Sequence, residues 1–71
     1  MPEPKDGEHY ATVNATALNV RKQPTTDAAV LEQLAKGRRV VAAIESDADG
    51  WVKVHTGEVD GFVKAEYLVG E

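Results

Sequence analysis

Apolar and polar residues alternate in short segments of this chain, and this period of two restricts its fold more than any other feature. Residues 17–21 alternate Leu and Val with Asn and Arg, and residues 51–55 repeat the pattern. Successive side chains of a β-strand point to opposite faces, so Leu18 and Val20 are expected to face a core. The same pattern predicts strands at 10–14, 17–21, 30–34, 38–46, 51–55, 59–63 and 68–69. Residues 30–34 also fit one helical turn, and the strand-rich context favours a strand.

Turn-forming residues separate the predicted strands. Pro24 interrupts the pattern because proline cannot donate to a β-ladder, and the pair Asp49 and Gly50 is typical of a hairpin turn. Residues 65–67 are expected to form a single 3₁₀ turn. An open sheet this small would expose its edges. About five to six short strands in a chain of this length therefore predict an all-β fold, a small closed or half-closed barrel.

The N-terminal residues 1–8 differ in composition from the rest. They combine two prolines, one glycine and four charged residues, which predicts a disordered lead-in or linker followed by one folded domain at 9–71.

No stretch approaches the roughly 20 apolar residues that cross a bilayer, and the chain as given carries no signal peptide.

Charge and cysteine content narrow the classes of partner. The chain has no cysteine, which excludes disulfides and thiolate metal sites. Its net charge of −4 argues against nucleic acid as a partner. However, residues 21–39 carry five basic and two acidic side chains, whereas residues 40–71 carry two basic and seven acidic ones. Nucleic-acid binding through 21–39 stays open as an alternative and predicts an affinity that falls steeply with salt.

Residues with catalytic or metal-binding chemistry are few. Ser46 is the only serine and lies in no glycine-framed elbow. The spacing of His9 and His55 matches no zinc motif, so both are expected to be surface histidines, with mild pH sensitivity if His55 adjoins an acidic loop. Residues 47–50 resemble the start of a calcium loop, but the strand pattern that follows favours a hairpin. The sequence therefore predicts no catalytic residue, no metal site and no cofactor.

An ordered set of motifs resembles the bacterial Src homology 3 (SH3) domain over residues 11–69. In chain order the set is Leu18-Asn19-Val20-Arg21, Pro24, Val30-Leu31 with Leu34, Lys36-Gly37, Gly50-Trp51-Val52-Lys53-Val54, Gly61-Phe62-Val63 and Tyr67-Leu68. The resemblance implies a five-stranded barrel used as an accessory module. Such domains commonly flank bacterial cell-wall hydrolases or sit in exported proteins, and some recognise peptidoglycan peptides. The resemblance thus implies a location in the cell envelope, the periplasm or outside the cell.

This chain departs from the aromatic groove with which eukaryotic SH3 domains bind proline-rich peptides. Asn19 and Arg21 stand where proline-binding relatives carry groove tyrosines, and Lys64 stands where they carry a groove proline. Only Trp51 and Tyr67 match the aromatic floor. The resemblance therefore implies a polar or charged ligand rather than a proline-rich peptide.

The candidate ligand site lies between the loop 23–29 and the hairpin 47–50. We expect apolar contact from Trp51 and Tyr67, hydrogen bonds from Asn19, and pairing of Arg21 and Lys64 with a ligand carboxylate. A purely structural role, in which the two aromatic rings close one end of the barrel, stays open.

The predicted function is a non-catalytic binding or targeting module that recognises a cell-wall peptide or another peptide, as a monomer. The alternative is an oligomerisation or scaffold domain in which an exposed strand edge, such as 10–14, pairs with another chain.

Overall fold

A computed structural model describes residues 3–70, and this part of the chain contains seven strands and one 3₁₀ turn. In chain order the elements are β1 (Glu8–Val13), β2 (Ala17–Arg21), β3 (Val30–Ala35), β4 (Arg39–Ala43), β5 (Trp51–His55), β6 (Asp60–Lys64), the 3₁₀ turn (Ala65–Tyr67) and β7 (Leu68–Gly70). The all-β class, the 3₁₀ turn and the strand at 30–34 are confirmed. The count exceeds the expected five to six because all seven predicted segments form strands, including the short last one, β7, which pairs with β1.

The strands form one antiparallel sheet in the order β3-β2-β6-β5-β4-β1-β7. The β5–β6 hairpin is regular from Trp51↔Lys64 to His55↔Asp60, whereas β2 and β6 meet at the single pair Arg21↔Phe62. The outermost strands β3 and β7 are not hydrogen-bonded to each other, so the sheet stays open between them. This is the half-closed form of the barrel.

The core is thin and consists mainly of valine. Its buried members come from the first six strands, so the sheet must curl round them. They are Ala11, Val13, Leu18, Val20, Leu34, Val40, Ala42, Val52, Val54 and Val63. Alternation decides which residues enter it: Leu18 and Val20 are buried, while Lys53 between Val52 and Val54 is exposed. Burial of this apolar surface is the main stabilising contribution of the fold.

The predicted long strand 38–46 is shorter in the structure. It ends at Ala43, and Ile44 is 60% exposed. The backbone N–H of Ile44 donates to the carbonyl of Gly7 at 2.8 Å, outside the strand ladder. Ile44 therefore lies outside the core because the chain leaves the sheet at this point.

Strand β1 is not the exposed edge that the oligomerisation alternative named. It pairs with β4 from Glu8 to Thr12 and with β7 from Ala11 to Val13. The prediction of residues 10–14 as a free edge was wrong because β7 returns to cover the second half of β1. The edges of the described sheet are β3 and β7.

The N-terminal segment approaches β1 through a turn at residues 6–7. The N–H of Glu8 donates to the carbonyl of Lys5 at 2.9 Å. Residues 1–2 of the expected lead-in lie outside the described residues, and the boundary between lead-in and domain stays a prediction. Among the described residues, no helix is long and apolar enough to cross a bilayer.

Candidate functional site

A groove of about 390 Å³ runs across β2, the start of β5 and the end of β6. All five predicted site residues line it: Asn19, Arg21, Trp51, Lys64 and Tyr67. Thr26 of the loop between β2 and β3 and Glu66 of the 3₁₀ turn complete its walls. The structure therefore brings together residues that lie up to about fifty positions apart in the chain.

Trp51 forms the floor of this groove. It lies on the face of β5 opposite to Val52 and Val54, yet it is only 7% exposed. Its cross-strand partner on β6 is Lys64, whose ammonium lies 5.5 Å from the centre of the indole ring. That distance is within the range of a cation–π contact. The indole is therefore covered by its neighbours and also supports the cation above it.

The hairpin between β4 and β5 holds both residues in place. The Asp47 Oδ1 atom accepts the N–H groups of Asp49 and Trp51, each at 2.9 Å. The Lys64 Nζ atom donates to the carbonyl of Asp49 at 2.6 Å. Asp47 thus sets the hairpin geometry that fixes the start of β5 and anchors the Lys64 side chain.

The other wall is built on β2. Arg21 Nη1 donates to the carbonyl of Ala28 at 3.0 Å, which ties the loop 22–29 to the strand. Asn19 Oδ1 accepts from Gln33 Nε2 at 3.1 Å, so the amide nitrogen of Asn19 keeps its donors for another partner. Arg21 and Lys64 outnumber Glu66, and this gives the groove a positive balance in a chain whose net charge is −4. Such a surface is complementary to an anionic group.

Replacement of Asp47 by Ala is expected to lower the free energy of unfolding by about 1 kcal/mol, because two backbone N–H groups lose their acceptor. Asp47→Asn keeps an oxygen acceptor and is expected to lose less than half as much. Urea denaturation followed by the fluorescence of Trp51 measures both. Equal losses in the two variants would show that the hydrogen bonds of Asp47 contribute nothing.

A second cavity, of about 650 Å³, contains a histidine between two carboxylates. His55 Nε2 lies 2.9 Å from Glu8 Oε2, and His55 Nδ1 lies 2.7 Å from Asp60 Oδ1. The expectation of a surface histidine missed this cluster. Asp60 is its hairpin partner and could have been found from the register, but Glu8 is 47 positions away and no local pattern indicates it. No group of side chains suited to a metal ion occurs among residues 3–70.

Both carboxyl groups of this cluster titrate below their ordinary range. The pKa of Glu8 is lowered first by the backbone N–H of Lys5 and then by the hydrogen bond with His55, with desolvation opposing. The pKa of Asp60 is lowered chiefly by its hydrogen bond with His55. Each contact favours the ionised form of the carboxyl group.

These two lowered pKa values predict acid sensitivity. A carboxyl group whose pKa is lower in the folded state stabilises the fold above its unfolded pKa, about 4, and loses that contribution as the pH falls through its folded pKa. The urea midpoint of the wild type is expected to drop more between about pH 5.5 and about pH 3 than that of the double variant Glu8→Gln, Asp60→Asn. Parallel drops in the two proteins would contradict this.

Comparison with known proteins agrees with the fold and the motif set. The family model described as bacterial SH3 domain matches residues 16–69, which is most of the chain. The chain is 42% identical over 59 residues to a protein of Listeria grayi named probable endopeptidase p60; the match covers 80% of this chain and 11% of that protein. No solved structure is significantly similar. Because the family model matches well over half of its residues, the chain belongs to the bacterial SH3 domain family.

Proposed function

We propose that this domain is a non-catalytic binding and targeting module, and that its groove receives a peptide through a carboxylate. The observation that carries the proposal is that two cations, Arg21 and Lys64, line one groove together with a buried indole in an otherwise acidic chain. A planar guanidinium and an ammonium pair with a carboxylate by charge-assisted hydrogen bonds. The indole of Trp51 and the 43% exposed ring of Tyr67 offer apolar contact beside them.

The ligand class that we propose is a cell-wall stem peptide. A peptide with free carboxylates is complementary in charge to Arg21 and Lys64, which a proline-rich peptide without carboxylates is not. The proposal includes a location in the envelope or outside the cell, which family membership supports. The relative named as a probable endopeptidase is also consistent with a module attached to a larger protein, because the chain spans about a tenth of its length.

The proposed module acts as a monomer. Trp51 is already buried by residues of its own chain, so the groove is complete without a second copy. The edge of β1 proposed for assembly is largely paired with β7.

The test is retention of the domain on purified peptidoglycan, with a matched pair of lysine variants. Lys64→Gln removes the groove cation and is expected to lower the retained fraction about three- to tenfold. Lys53→Gln is the control, because Lys53 is an exposed lysine of the neighbouring strand outside the groove, and its retention is expected to stay within about twofold of the wild type.

Two further measurements complete this test. Retention should fall as salt is raised, because the proposed pairing is ionic. Stem peptides with amidated carboxyl groups should compete less well than peptides with free carboxylates. Equal retention of the two lysine variants, or equal competition by the two kinds of peptide, would refute a carboxylate site in this groove.

A further inference from the structure

The cluster around His55 lies outside the groove and has no part in the proposed function. The ring contacts carboxylates through both of its nitrogens, at 2.9 Å to Glu8 of β1 and 2.7 Å to Asp60 of β6. The side chain of His55 is 25% exposed, that of Glu8 19% and that of Asp60 66%. One imidazole therefore joins the first strand of the chain to the β5–β6 hairpin.

The protonation state of the imidazole decides which hydrogen bonds His55 can form with the two carboxylates. An imidazole donates through both nitrogens only when it is protonated, whereas the neutral ring has one donor and one lone pair. In either neutral tautomer, one carboxylate faces a lone pair instead of an N–H group. The hydrogen bond that remains joins a neutral donor to a carboxylate, so it loses the attraction between two opposite charges.

Glu8 also links His55 to the segment that leads into β1. While Oε2 contacts His55, Oε1 accepts the backbone N–H of Lys5 at 3.0 Å. The turn is also attached to the sheet at Gly7, whose carbonyl accepts the N–H of Ile44 at 2.8 Å. Besides the hydrogen bond from the Glu8 N–H to Lys5 within the turn and the pairing of Glu8 with β4, residues 5–8 are attached through the Glu8 carboxylate and the carbonyl of Gly7, and the carboxylate is the part that responds to a proton.

The cavity around the ring is rich in carboxylates. Glu3, Glu58 and Lys5 line the same cavity, so the neutral ring leaves four carboxylates against a single lysine there. Lys53, on the same strand as His55, acts on Asp60. Strand β4, which pairs with β5 at Val41↔His55, contributes no carboxylate. The lowered pKa values of Glu8 and Asp60 keep both carboxylates ionised across the range in which histidine titrates.

We propose that protonation of His55 is a pH-dependent latch that holds residues 5–8 against the β5–β6 hairpin at mildly acidic pH and loosens them at mildly alkaline pH. The entry of the chain into the domain, and with it the direction of any segment that precedes Lys5, then depends on one proton.

The latch is tested by amide hydrogen exchange at about pH 5.5 and about pH 8. The protection factor of Ile44, whose N–H binds Gly7, is corrected for the intrinsic effect of pH and is expected to fall about fivefold on going to the higher pH. The amide of Asn14 donates to Tyr67 at 2.8 Å, remote from the latch, and its protection factor is expected to change by less than about twofold.

Two variants separate the latch from general effects of pH. His55→Gln cannot titrate and is expected to show the same protection of Ile44 at both pH values. His9→Gln removes the only other histidine and is expected to keep the fivefold change. An unchanged protection factor in the wild type, an equal fall at Asn14, or a fivefold fall that persists in His55→Gln would each overturn the proposal.

The proposal stays testable if His55→Gln fails to fold. The ¹⁵N shifts of the His55 ring in the wild type report its protonation directly. Their midpoint is expected to coincide with the midpoint of the change in Ile44 protection. Midpoints that differ by more than about one pH unit would overturn the latch.

Discussion

Replacement of Leu34 by Ala is expected to lower the free energy of unfolding by about 3 kcal/mol. Leu34 has no exposed surface and lies opposite Leu18 in the β2–β3 ladder, at the centre of a core built mainly from smaller valine side chains. Removal of its branched end leaves a cavity that the surrounding strands fill only partly. A domain of this size is typically stable by only about 3–5 kcal/mol, so a large fraction of the variant should be unfolded at room temperature.

Leu31→Ala is the matched control for this prediction. Leu31 lies on the same strand and undergoes the same chemical change, but its side chain is 40% exposed. We expect a loss below about 1 kcal/mol, since much less apolar surface is buried there. Urea denaturation followed by the single tryptophan measures both. Equal losses would show that Leu34 is not a central core residue.

Replacement of Gly61 by Ala is expected to destabilise the domain by about 2–3 kcal/mol, for a different reason. A Cβ atom at this position would lie 2.6 Å from the carbonyl oxygen of Arg21 and 2.6 Å from Val20 Cγ1. The oxygen belongs to the backbone of the neighbouring strand, so it cannot rotate away. The clash falls where β2 and β6 are joined by the single pair Arg21↔Phe62, and separation of these strands would also open the groove.

Gly70→Ala is the matched control for Gly61→Ala. The Cβ atom there would meet the ring of His9 at 2.7 Å, and that side chain can change rotamer. The expected loss is below about 1 kcal/mol, measured in the same urea experiment. A tolerated Gly61→Ala, with the wild-type urea midpoint, would show that β2 and β6 do not approach each other this closely.

Two of the three glycines in the SH3 motif set, Gly37 and Gly61, differ in their structural roles. Glycine at these two motif positions predicts a close turn or a barrel corner where a side chain would clash. In the structure, Gly37 has a φ of 89° in a turn with open space around it, whereas Gly61 lies in extended backbone beneath a neighbouring strand. The predicted clash therefore occurs at Gly61, whereas glycine is favoured at Gly37 by the positive φ of the turn. Which of the two reasons applies depends on the packing around the residue, and the local sequence does not contain that information.

The candidate groove was predictable because the family resemblance indicates its residues and the register of one hairpin also brings two of them together. Trp51 and Lys64 face each other by the register of the β5–β6 hairpin, which the turn at 56–59 sets. Asn19, Arg21 and Tyr67 came from the family resemblance. The His55 cluster was not predictable in full, since Glu8 reaches His55 only through the pairing of β1 with β4 and of β4 with β5.

By itself, the sequence determined the all-β class, the approximate positions of the strands and the buried face of β2. These follow from the side-chain period of two and from turn residues, which act within a few neighbouring positions. Only the tertiary structure decided that β7 covers β1, that the sheet stays open between β3 and β7, and that Glu8 and Asp60 enclose His55. Pairing between distant segments depends on how the whole sheet curls round its shared core, and no local pattern encodes that geometry.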